Sequence, residues 1–310
     1  MSFKSYAAKR KERFGNLLKQ IGRARTCYLF LLPYAVVFAL FVVAPLIVSI
    51  FYSFTYYNIL EAPTFIGLRN YINLLLSDDV FLTAVKNTFI LAAITGPIGY
   101  LASFLFAWFI YELPRYIRAF VTLIFYAPSI SGSVYIIWAI IFSGDAYGYI
   151  NGLLMQIGII DQPVLWLTDP NYMMPVMIVV VLWMSLGTGF LAFIAGLSTI
   201  DESQYEAGIM DGITNRWQEL WYITLPNMKG MLLFGAVMAI TQSFGIADVT
   251  TALCGFPSTD YAVHTVVNHL VDYGSIRFEM GYASAIATLL FLAMILCNKA
   301  VQKILSRVGT

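Results

Sequence analysis

Charge is what this sequence has least of. Asp, Glu, Lys and Arg make up 11% of its 310 residues, less than half of the roughly 25% carried by a soluble domain. A globule of this length needs a polar skin, and 17 acids with 18 bases do not supply one. An ordinary cytosolic enzyme, a secreted disulfide scaffold and a disordered chain are therefore excluded. Cysteine is scarce too: Cys27, Cys254 and Cys297 stand without metal-ligand or redox spacing and read as small apolar fillers. The two histidines, His264 and His269, share one loop and lack the nearby carboxylates or thiols of a metal site. No lysine follows a glycine, so the phosphate cradle ending in Gly-Lys-Ser/Thr is missing. The chain does not bind and hydrolyse ATP by that route, and nothing in it reads as catalytic.

What is present is apolar: 60% of all residues are hydrophobic, and 16% of all residues are aromatic. The gaps between charges show how they are arranged. No charge falls between Arg25 and Glu61, Lys86 and Glu112, Arg118 and Asp145, Asp169 and Asp201, Lys229 and Asp248, or Glu279 and Lys299. About 20 apolar residues in a helix cross a hydrocarbon core of roughly 30 Å, and lipid admits only structures whose backbone groups pair internally. The runs are continuous rather than alternating, which selects helices. The reading is an all-α polytopic membrane protein with spans near 28–52, 87–111, 119–143, 173–197, 229–253 and 281–303.

Six spans put both termini on one side. All but three of the 18 bases (Arg69, Lys86 and Arg277) lie on that side, which the positive-inside rule makes cytoplasmic. Residues 1–27 then form a basic cytoplasmic segment, 28–303 the membrane domain and 304–310 a cytoplasmic tail. Within 10–25, Phe14, Leu17, Leu18 and Ile21 recur at helical spacing among bases, the pattern of a helix on anionic lipid or of a basic tail that serves topology alone. The first apolar run is too long for a signal peptide and lacks a small-residue cleavage site. The spans are more than anchors. Pro33 and Pro45 interrupt the first, Gly96-Pro97 the second, and Pro128, Ser129, Ser131, Gly132 and Ser133 the third. Such breaks are tolerated where helices pack together or border a polar cavity.

The loop 198–228 carries the densest signal. It reads Glu206-Ala207-Gly208, three residues, Gly212, ten residues, then Ile223-Thr224-Leu225-Pro226. Asp201 and Glu202 suit a helix N-terminus, Gly212 a sharp turn and Pro226 a helix end. Trp217, Leu220 and Trp221 are apolar anchors. A helix–turn–helix on the cytoplasmic face, built to dock a soluble partner, is the expectation; an amphipathic loop lying on the membrane is the alternative.

This stretch resembles the EAA motif of the membrane subunits of binding-protein-dependent ABC importers: Glu-Ala-Ala, three residues, Gly, nine residues, Ile-x-Leu-Pro. Gly208 replaces the second Ala here and one extra residue follows Gly212. With Asp211-Gly212 and Arg216-Trp217-Gln218 it is similar to the carbohydrate-importer branch. Phe65-Ile66-Gly67-Leu68-Arg69-Asn70-Tyr71 resembles the outside F-x-G-L-x-N-Y segment of sugar permeases, and Asn87-Thr88, Gly148, Asn151 and Trp166-Leu167 also fit them. Near the end of span five Asp248 fits, while Cys254-Gly255-Phe256-Pro257 replaces the usual glycine pair.

The resemblance implies the type I importer permease fold and one half of a carbohydrate, and specifically oligosaccharide, translocation pathway in a bacterial cytoplasmic membrane. It implies a second permease in a heterodimer, two ATP-binding subunits that hold ATP and Mg, and an extracellular sugar-binding protein, with lipid and carbohydrate as the other partners. No cofactor is expected in this chain, and no nucleic acid among its partners. Contact with the ATPase falls to Glu206, Ala207, Gly208, Asp211, Gly212, Trp217, Ile223, Leu225 and Pro226.

Asp248 is the one acid inside an apolar span. An aspartate at the bilayer centre costs about 2.5–3.5 kcal/mol on insertion scales, so a cavity or partner face is expected for it, in sugar contact or in a structural hydrogen bond. Tyr126, Trp138, Trp183, Gln242 and Phe244 lie in spans that can line a path, with rings for sugar faces and an amide for hydroxyls. Three alternatives stand beside this reading. A permease for a non-sugar solute shares the docking loop. A secondary transporter would show paired intramembrane ionisable groups, and a membrane enzyme a cluster of acids, His or metal ligands.

Overall fold

The computed structural model of the chain describes residues 25–305 other than Ser133. The basic segment with Phe14, Leu17, Leu18 and Ile21, and residues 306–310, fall outside the described residues. Among the described residues five helices are long and apolar enough to cross a membrane: Thr26–Tyr52, Asp79–Tyr111, Pro170–Leu197, Lys229–Cys254 and Met280–Leu305. Arg115–Ile130 and Tyr135–Ile141 meet the same measure only as a pair, bent by 84° between them, and counted as one broken span they bring the number to six. Each falls on one of the charge-free runs. The second begins earlier than hydropathy places it, because its start is set by a cap: Asp78 accepts a hydrogen bond from Phe81 N at 2.8 Å.

Three spans are broken. Span three leaves helical geometry at Ser131 (φ −86°, ψ 108°), just after Pro128. Span four breaks at Gly187 (φ −102°, ψ −140°), between Pro170–Trp183 and Thr188–Leu197. Span five breaks at Gly245–Ala247, where Ala247 has φ −149°, between Lys229–Phe244 and Asp248–Cys254. The freed carbonyls find hydroxyls: Ser103 donates to Ser185 O at 3.2 Å, Thr265 to Ile246 O at 2.7 Å and Thr250 to Ala247 O at 2.8 Å. Non-helical backbone survives at membrane depth only when satisfied in this way.

Two prolines are accommodated by widened turns. A π segment at Ala39–Val43 precedes Pro45, and another at Leu220–Thr224 precedes Pro226. Each shifts a backbone bond to the i−5 carbonyl, which relieves the clash of a proline ring with carbonyl i−4. The second short helix of the 198–228 loop therefore runs through Pro226 and stops at Asn227.

Spans two, four and five form the centre of the bundle. At one end Phe104, Phe190, Phe193, Leu197 and Met228 pack with Leu220 and Ile223 of the 198–228 loop; at the other, Leu91, Met173, Met177, Val180, Ile246 and Val263 pack together. Close approach depends on glycine. A Cβ on Gly235 would run into the Phe193 ring, so span five meets span four through a missing side chain. Span one leans on span six through Ala44–Tyr52, and none of its most apolar stretch is buried.

The layer away from the 198–228 loop is tied by motif residues. Asn70 donates to Ser53 O and Thr55 O, both at 3.0 Å, and Tyr71 to Ser53 Oγ at 2.7 Å, beside an antiparallel pair, Thr55–Tyr56 with Thr64–Phe65. Asn87 donates to Tyr261 O and His264 O, while Thr88 Oγ1 accepts from Val266 N.

A cavity where three spans break

Between the two apolar clusters lies a cavity of about 390 Å³. Small residues of span two (Thr95, Gly96, Gly99 and Ser103) form one wall, and the breaks of spans three, four and five form the rest. The breaks thus serve one place. Ser129 and Tyr135 flank the first, Met184 and Ser185 the second, and Gln242, Ser243 and Gly245 through Asp248 the third. Gly187 leaves room for the Gln242 amide, whose Nε2 would sit 3.1 Å from an added Cβ. The wall offers hydroxyls, an amide, one carboxylate and exposed backbone. That set reads a polar, hydroxyl-rich solute.

Of the sequence-derived path residues, Gln242 and Asp248 line this cavity. Asp248 opens the second helical piece of span five, one residue after the break, and is exposed. The others lie elsewhere. Trp138 stacks on Phe142 at 5.7 Å and meets Trp183 edge-on at 5.3 Å. Tyr126 packs on the first apolar cluster. Phe244 is buried and faces a separate apolar cavity between spans two, five and six that also contains Cys297. Ser129 comes from the Pro128–Ser133 cluster that sequence reading tied to a polar cavity. Tyr135, Ser185 and Gly99 were missed; Gly96 was read as a break but not as a wall.

The 198–228 loop folds as two short helices. Asp201 caps Glu202–Met210 by accepting from Ser203 N at 3.0 Å, and this holds its carboxyl below the usual range. Gly212 makes the turn with φ +94°, the left-handed region that other residues rarely adopt. Asn215 caps Arg216–Glu219, accepting from Gln218 N at 2.9 Å. The two helices are joined by Tyr205 Oη and Thr224 Oγ1 at 3.1 Å and by Asn227 Nδ2, which donates to Gln204 Oε1 at 2.6 Å. Buried Gly208 receives Ile223: a Cβ there would stand 2.6 Å from Ile223 Cδ1.

The loop is fastened to the membrane domain from below. Arg216 reaches Glu112, at the end of span two, at 3.5 Å, and the Trp217 ring lies 5.4 Å from that of Trp108. Ile223 is buried, and Leu225 and Pro226 are half-buried. Glu206, Ala207, Asp211 and Gly212 are exposed, along with Trp217, Trp221, Tyr222 and Met210. These large apolar side chains, with the Glu206 and Asp211 carboxylates beside them, form an exposed patch on a braced scaffold.

One further cluster escaped sequence reasoning. Asp78, 191 residues from His269, accepts from His269 Nε2 at 3.0 Å and from Tyr282 Oη at 2.9 Å. Burial works to raise the Asp78 carboxyl, but the hydrogen bonds from Phe81 N, Tyr282 and His269 together hold it below the usual range. Burial pushes His269 down against the pull of Asp78, and His264 down to about 4. At neutral pH the contact is a neutral His269 donating to a carboxylate, not an ion pair.

With its fold and its family in agreement, this polytopic helical bundle is a membrane transport subunit, not an enzyme. The chain belongs to the family of binding-protein-dependent transport system inner membrane components, whose model matches residues 97–308. It is 34% identical over 268 residues to a probable ABC transporter permease protein, YesP, of Bacillus subtilis (strain 168), covering 84% of each chain. It is 30% identical over 224 residues to the lactose transport system permease protein LacF of Rhizobium radiobacter, covering 71% of this chain and 73% of that one. Its fold matches a chain of a bacterial ABC transporter that imports the acidic polysaccharide alginate, at a TM-score of 0.74 and 24% identity over 95% of this chain and 100% of that one.

Proposed function

We propose that this chain forms half of the translocation route of an ATP-driven oligosaccharide importer in a bacterial cytoplasmic membrane, with both termini in the cytoplasm. The observation that carries the reading is the cavity of hydroxyl, amide and carboxylate groups at the junction of three broken spans. A sister permease supplies the facing wall, and an extracellular binding protein delivers the sugar. Two ATPase subunits, which hold ATP and Mg, dock on residues 203–226 through the exposed face around Glu206 and Trp217. Nucleotide-driven closure of the ATPases moves this loop as a rigid body. Because Arg216 and Trp217 join it to Glu112 and Trp108 of span two, the motion is passed to the cavity wall. The coupling is reciprocal, so sugar-loaded binding protein outside promotes hydrolysis inside.

The test is copurification of the tagged chain followed by sugar uptake in liposomes. An ATPase and a second permease are expected to come with it, and Gly212→Val, which forces a β-branched residue to φ +94°, is expected to uncouple hydrolysis from uptake. A functional homomer active without ATP would overturn the reading in favour of a secondary transporter, and unchanged uptake by Gly212→Val would remove the docking role.

A further inference from the structure

The named relatives carry cargo of different charge: lactose is neutral and alginate is acidic. The walls of this chain's own route discriminate between those chemistries. In the inner cavity the ionisable carboxylate is Asp248. It stands at the start of its short helix, so the partial positive charge of that helix end is already engaged by a resident anion. On the side away from the 198–228 loop a second cavity, of about 560 Å³, is lined by Tyr135, Asp145, Tyr147 and Tyr149 among others. Tyr135 lines both cavities.

The outer cavity is built rather than incidental. Asp145 accepts from Tyr147 N at 2.9 Å and from Ser143 Oγ at 2.7 Å. Asn151, fully buried, donates to Ser143 O, Asp145 O and Val164 O at 3.2, 3.1 and 3.0 Å. On this fixed loop Tyr147 and Tyr149 stay 97% and 71% exposed, presenting ring faces of the kind that stack on sugars. Among the described residues neither cavity is lined by a lysine, arginine or histidine.

We propose that this half of the route selects uncharged oligosaccharides and rejects uronate-bearing ones, with Asp248 and Asp145 as the excluding charges and Tyr135, Tyr147 and Tyr149 as the stacking surfaces. The inference rests on the carbohydrate reading above and names its substrate class. Sugar hydroxyls donate well to a carboxylate. A uronate carboxylate about 8 Å from Asp248, at an effective dielectric of about 20, is disfavoured about thirtyfold.

The test uses the copurified complex in liposomes with one binding protein throughout, so that the upstream preference is constant. Sugar-stimulated ATPase activity and uptake are compared for uncharged oligosaccharides and oligogalacturonates of matched length. Uncharged sugars are expected to be preferred by about tenfold or more at low salt, with the ratio narrowing as salt rises. Asp248→Asn with Asp145→Asn should reduce the ratio several-fold, by raising the response to oligogalacturonates while the response to uncharged sugars falls or stays level. Preference of the unaltered complex for uronates, or a ratio untouched by the double replacement, overturns the inference and leaves the carbohydrate reading standing. A response to neither series overturns the carbohydrate reading and this inference with it.

Discussion

Replacing Gly208 by alanine puts back the side chain that the importer motif has at this position, and the structure predicts that it will do harm. In a helix interior Gly→Ala gains about 1 kcal/mol, but the new Cβ meets Ile223 Cδ1 at 2.6 Å. Overpacking of this kind costs about 1–3 kcal/mol, so the net effect is a loss of about 1 kcal/mol. Ile223→Val removes the offending Cδ1 at a cost of about 0.5–1.5 kcal/mol on its own. In that background the nearest remaining atom is Ile213 Cδ1 at 3.0 Å, a flexible end that has only to shift slightly. Gly208→Ala should then be neutral or stabilising. Thermal unfolding of the purified complex reads the difference, since 1 kcal/mol moves the midpoint of a large domain by roughly 2–4 °C. The same pair should couple in sugar-stimulated ATPase activity, because the contact joins the two helices of the docking loop. An equal loss in both backgrounds would refute the reasoning: the glycine would not be there to seat Ile223.

Acid should loosen the outer layer. Burial lowers His264 from 6.5 to about 4 and lowers His269 as well, so between those pH values the unfolded chain binds protons that the native chain does not. Stability is complete above pH 6.5 and falls towards pH 4, by about 3 kcal/mol for His264 alone. Hydrogen exchange of residues 260–275 between pH 7 and pH 4.5 measures it, and His264→Gln should flatten the profile; a flat profile in the unaltered chain contradicts the assignment. Asn151→Ala deprives three carbonyls of a donor and Val164 N and Trp166 Nε1 of an acceptor, a loss of about 3 kcal/mol or more. Limited proteolysis should then cut within 143–166, and Asn151→Asp, which turns a buried carboxylate towards the three carbonyls, should be at least as damaging.

The spans were legible because lipid imposes one rule on all of them: long runs without charge. The helix–turn–helix of 198–228 was legible because its caps and turn are local, with Asp201, Gly212 and Asn215 acting on backbone within a few residues. What could not be read is what depends on pairing across the chain. Asp78 gives no local sign that His269 and Tyr282 will reach it. Trp138 and Phe244 have the composition expected of path residues, yet one packs on Trp183 and the other faces away. Gly208 reads as a departure from a motif until Ile223 is seen against it. Periodicity gives a residue's place along a helix; only the packed bundle gives the neighbour.

The position of the cavity between two separate apolar clusters has a mechanical consequence. Large side chains lock spans two, four and five together at each end, while the level between them is largely glycine, serine and interrupted backbone. Stiffness is therefore concentrated at the ends and compliance at one depth. A force applied at the 198–228 loop would flex the molecule at the level of the cavity, and neither packed cluster would have to be pulled apart.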